Sequence, residues 1–72
     1  MSYADMFTPF DKSYLKEIGF VEEVSNVIYS KFNVKLNKKV YIQKKRHFCY
    51  EVSWNSKIQK TYEFIEDVDE LF

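Results

Sequence analysis

The chain reads as a single α+β domain, residues 1–72, with an N-terminal helix or helix pair, a three-stranded antiparallel meander and a short acidic C-terminal helix. Both helices are expected on one face of the sheet. Three observations carry this reading. Thr8-Pro9-Phe10-Asp11 has the form of a helix start, apolar residues recur at helical spacing as far as Phe32, and from Val40 onward the period changes to two.

The first helix follows from Thr8 as N-cap, Pro9 at the first helical position and Asp11 at N3. Tyr14, Leu15 and Ile18 share one face of it, and Gly19 stands where the helix ends or bends, with Phe20 able to fold back on Leu15. Val21, Val24, Ile28 and Phe32 then fit a main helix over residues 20–32, with Glu22, Glu23, Ser25, Asn26 and Ser30 outside. Val34 and Leu36 suit a short edge strand that turns at residues 37–39.

In the second half, Val40, Ile42, Phe48, Tyr50, Val52, Trp54, Ile58, Tyr62 and Phe64 all fall on even positions. One unbroken strand would bury Lys44 and Arg46, at a cost well above that of a turn. The chain is therefore expected to reverse at Lys44-Lys45-Arg46, pairing Ile42 with Phe48 and Val40 with Tyr50. A second reversal at Asn55-Ser56-Lys57 pairs Trp54 with Ile58, Tyr50 with Tyr62 and Phe48 with Phe64, leaving Lys60 opposite Val52 as the misfit. Helix residues Val21, Val24 and Ile28 would then cover Val40, Ile42, Phe48, Tyr50 and Trp54. The odd face, with Lys39, Tyr41, Gln43, His47, Cys49, Glu51, Ser53, Gln59 and Thr61, stays open. Ile65, Val68 and Leu71 or Phe72 turn the last helix inward.

Composition bounds the function. A chain of 72 residues buries only about 60% of the surface its unfolded form exposes, so its stability is marginal. One Cys and one His leave no internal disulfide and too few soft ligands for a structural zinc site, so no cofactor is expected. No apolar run reaches the roughly 18 residues of a membrane span and no leader is evident, which points to a cytoplasmic protein. Lysine supplies ten of the eleven basic residues, a bias that suits a low-GC bacterium or its phage.

Zero net charge conceals a segregation. Residues 31–60 hold nine basic side chains against one acid, while residues 1–30 carry a net −3 and residues 61–72 a net −5. Such asymmetry suits a charged partner, and equally a basic sheet shielded by acidic helices. The candidate binding residues are Lys39, Tyr41, Lys44, Lys45, Arg46 and His47, a basic cluster with aromatic interleaving. A catalytic reading of His47, Cys49 and Glu63 lacks a cleft, an activating helix terminus and an oxyanion turn, so no enzyme is expected.

Two resemblances accompany this. The helix, three strands, helix order is similar to the double-stranded RNA-binding domain, although Glu63 to Glu70 is acidic where that family's final helix opens with lysines. Tyr3-Ala4-Asp5-Met6-Phe7 resembles the short peptide with which bacterial replication proteins dock on the sliding clamp, with Tyr3 in the glutamine position. Packing of Met6, Phe7 and Phe10 under the first helix is the competing expectation. The function expected is a non-enzymatic protein-binding module, a phage- or mobile-element-type modulator of a host protein, acting on an acidic or mixed surface as monomer or small homo-oligomer. The alternative is a nucleic-acid-binding domain using residues 38–60.

Overall fold

A computed structural model describes residues 6–72. Tyr3, Ala4 and Asp5 of the clamp-like peptide lie outside the described residues, and Phe7 is buried in the core. Helix α1 spans Pro9–Glu17 and opens with a capping box: the Asp11 N–H donates to Thr8 Oγ1, and the Thr8 N–H donates to Asp11 Oδ2. Gly19 ends it at φ +100, a left-handed conformation suited to glycine, and the Phe20 N–H returns to the Leu15 carbonyl. Lys31 Nζ donates to the Ile18 carbonyl and covers the Phe72 ring, so a sheet residue caps the helix end.

Five strands follow, β1 (Val21–Val24), β2 (Ile28–Asn33), β3 (Lys38–Arg46), β4 (Cys49–Trp54) and β5 (Lys57–Tyr62), paired antiparallel in sequence order. A 3-10 helix, Ile65–Leu71, closes the chain. Leu15 of α1 and Ile65 and Val68 of the 3-10 helix pack with Phe7, Phe20, Tyr29, Val40, Ile42, Tyr50, Val52 and Tyr62 in one core. The other face of the sheet has no described layer over it.

The three-stranded meander is thus corrected to five strands, and the main helix over residues 20–32 is instead the β1–β2 hairpin. The segment is rich in Val, Ile, Tyr and Phe, which pack better on a pleated surface than on a helix. Asn26, at φ +63, takes the left-handed position of its turn. Of the expected stripe, Val21, Val24 and Phe32 are exposed and Ile28 is half-buried. Alternation was hard to see because β2 turns polar Lys31 and Asn33 toward the core side with Tyr29. Lys31 goes to the Ile18 carbonyl, and the Asn33 amide donates to the Leu71 carbonyl.

The β3–β4 register is displaced too. Ile42 pairs with Val52 and Lys44 with Tyr50, so β3 continues to Arg46 and the reversal falls at His47-Phe48 instead of residues 44–46. Even residues still share a face, because a bulge between Lys44 and Arg46 supplies the odd residue that a two-residue turn lacks. The β4–β5 hairpin solves the same parity problem with a bulge at Val52/Ser53 and a two-residue turn, Asn55-Ser56, both at positive φ. Tyr50 opposite Tyr62 and Lys60 opposite Val52 stand as expected, whereas Trp54 pairs with Lys57 and Ile58 with Ser53.

Candidate functional site

The six predicted binding residues do not form one cluster. Lys44 is buried, on the core face of β3, where its ammonium lies 3.5 Å from Asp11 Oδ2. Tyr50, its cross-strand neighbour, donates its hydroxyl to Asp11 Oδ1 and Oδ2 at 3.0 and 3.1 Å. Burial, then the adjacent Asp11 carboxylate, pushes the Tyr50 phenol well above its usual range. Lys44 is buried in a strand instead of exposed in a turn because Asp11, already fixed by the capping box, supplies its counter-charge. Lys44 is therefore a structural residue.

Lys39 and Tyr41 stand on the open face. The Lys39 ammonium is 2.7 Å from Glu23 Oε1 and 5.5 Å from the Tyr41 ring centre. Its pKa is raised, first by the hydrogen bond to Glu23, and that of Glu23 is lowered by the same bond. Lys45 lies 3.8 Å from Glu51 and Lys60 3.4 Å from Glu70, so among the described residues four of the nine basic side chains in residues 31–60 have a carboxylate within 4 Å. These pairs offset part of the charge segregation inside the molecule. Arg46 and His47 are exposed at the β3–β4 tip. Cys49 is buried beside that turn, opposite Arg46. Among the described residues no group of three His, Cys, Asp or Glu could hold a metal ion, and no helix is long and apolar enough to cross a membrane.

Phe48 too lies away from its expected place. Expected in the core opposite Ile42, it occupies the hairpin tip at φ +59 with 67% of its surface exposed. The left-handed positions of the other three hairpins fall on Asn26, Asn37, and Asn55 with Ser56, residue types that tolerate the conformation. A phenylalanine there costs about 1–2 kcal/mol of backbone strain, with little burial to offset it. Phe64, half exposed after β5, meets it edge to face at 6.1 Å between ring centres. Arg46 and His47 precede it, and His47 also borders a shallow, mainly apolar pocket with Met6, Phe7 and Pro9. The tip therefore presents two aromatic rings beside one cation and one imidazole. The sequence signal was the absence of Gly, Asn or Asp from a turn where they belong.

No family model, curated protein or solved structure matches this chain.

Proposed function

We propose that the chain is a small non-enzymatic protein-binding module whose contact surface is the β3–β4 hairpin tip, with Phe48 and Phe64 as apolar anchors. Arg46 and His47 suit an acidic or mixed partner surface. The observation that carries this reading is Phe48 itself, an exposed aromatic held at a left-handed φ that disfavours a side chain. Local strain of this kind is retained where function requires it, and exposed aromatics beside arginine are the residues that dominate protein interfaces. Nucleic acid is the weaker reading, since salt bridges occupy four of the cations that would otherwise meet phosphates.

The test is affinity capture from extracts of the cells that encode the chain, with wild type and Phe48→Gly compared before and after nuclease treatment. Capture of a defined protein that survives nuclease and is lost with Phe48→Gly is expected. Capture abolished by nuclease, or retained in full by Phe48→Gly, would refute it.

A further inference from the structure

The open sheet face offers a second surface, independent of the hairpin tip. Val21, Ser30, Tyr41, Ser53 and Ile58 form one continuous cross-strand row through all five strands. Ser30 is fully buried, and its hydroxyl donates to Glu23. Val21, Tyr41 and Ile58 remain exposed along the row, and Phe32 beside it is 54% exposed. These are the residue types of a sheet that packs against another sheet.

We infer that this face is the contact between two copies of the chain, related by a two-fold axis passing near Tyr41 on the central strand. Three points select a second copy. The charges on the face cancel locally, Lys39 with Glu23 at 2.7 Å and Lys45 with Glu51 at 3.8 Å. A self-facing contact therefore meets no net repulsion, although the basic and acidic segments elsewhere are strongly unbalanced. Second, the row is centred on β3, so a two-fold contact leaves neither edge strand carrying it alone. Third, five strands at about 4.8 Å spacing and about 20 Å long give a face of roughly 500 Å². Two such faces reach the roughly 1,000 Å² at which specific contacts begin. A reversible dimer that exchanges with monomer is the form this area supports.

Sedimentation equilibrium of the full chain tests it. The weight-average mass is expected to rise with concentration from 8.8 kDa toward twice that value. Phe32→Glu and Ile58→Glu are each expected to hold the chain at the monomer mass while melting like wild type. Phe48→Gly is expected to dimerise unchanged, which separates failure of this inference from failure of the hairpin reading. A wild-type chain that stays monomeric at every concentration up to its solubility limit overturns the inference, as do face variants that dimerise like wild type. Should the face variants unfold, the wild-type Tyr41 ring resonances decide. Shifts that track concentration support the contact, and invariant resonances overturn it.

Discussion

Removing the Asp11 carboxylate is expected to destabilise the fold severely. Asp11 holds the N-cap of α1, accepts the Tyr50 hydroxyl on both oxygens and faces the buried Lys44 ammonium at 3.5 Å. Asp11→Ala leaves that ammonium unpaired, worth about 3–5 kcal/mol when a buried pair is broken, and leaves a buried hydroxyl without its acceptor, worth about 1–3 kcal/mol. These effects overlap, so roughly 4–6 kcal/mol is expected in total. A domain of 72 residues has only about 4–11 kcal/mol to lose. Lys44→Met is milder, about 1–2 kcal/mol, because Asp11 keeps the Tyr50 hydroxyl and the Thr8 N–H as donors. Urea unfolding followed by Trp54 fluorescence reads both variants. With a slope near 1 kcal/mol/M, the Asp11→Ala midpoint falls by several molar, leaving the chain largely unfolded in buffer. An Asp11→Ala midpoint equal to or above that of Lys44→Met would refute the reasoning.

Phe48→Gly is expected to be more stable than Phe48→Ala by about 1 kcal/mol, the reverse of the usual order in a strand, because only glycine relieves φ +59; equal melting temperatures would count against the strain. Gly19→Ala should cost about 1–2 kcal/mol, since φ +100 disfavours any side chain and the new Cβ would lie 3.3 Å from Lys31 Cε; an unchanged midpoint would contradict this. Glu22, Glu23 and Glu70 all have lowered pKa values, the first through the Asn26 N–H, the second through Lys39 and the third through Tyr62. Their stabilisation is present above the ordinary value of 4.5 and is lost as pH falls below it, so thermal stability should drop on the acid side. Tyr50 and Tyr62 are shifted upward by burial and by Asp11 and Glu70. Their contribution is complete below pH 10 and lost above it, so difference absorbance at 295 nm should show these two phenols ionising only with alkaline unfolding.

The start of α1 was legible because Thr8, Pro9 and Asp11 act through local backbone geometry. Val40, Ile42, Tyr50, Val52 and Tyr62 were legible as core for a similar reason, since alternation survives any shift that preserves parity, whereas the bulge at Val52/Ser53 turns Ile58 to the open face and Phe48 and Phe64 stay exposed. What the sequence concealed are the places where a distant partner reverses a local cost. Lys44 looked like a turn residue because its counter-ion lies 33 positions away. Lys31 and Asn33 broke the alternation of β2 because their partners are backbone carbonyls of Ile18 and Leu71, which no pattern announces. Of the candidate surface, Arg46 and His47 were found from charge. Phe48 was assigned to the core because hydrophobic periodicity counts a side chain's type and not the φ its position demands.

Photo-crosslinking from position 48 tests the central claim most directly. A benzophenone analogue of phenylalanine placed there, and separately at exposed Glu17 on α1, is irradiated in extracts of the cells that encode the chain. The account predicts a defined protein adduct from position 48, resistant to nuclease and absent from position 17. Crosslinks to nucleic acid alone, or the same adducts from both positions, would contradict it.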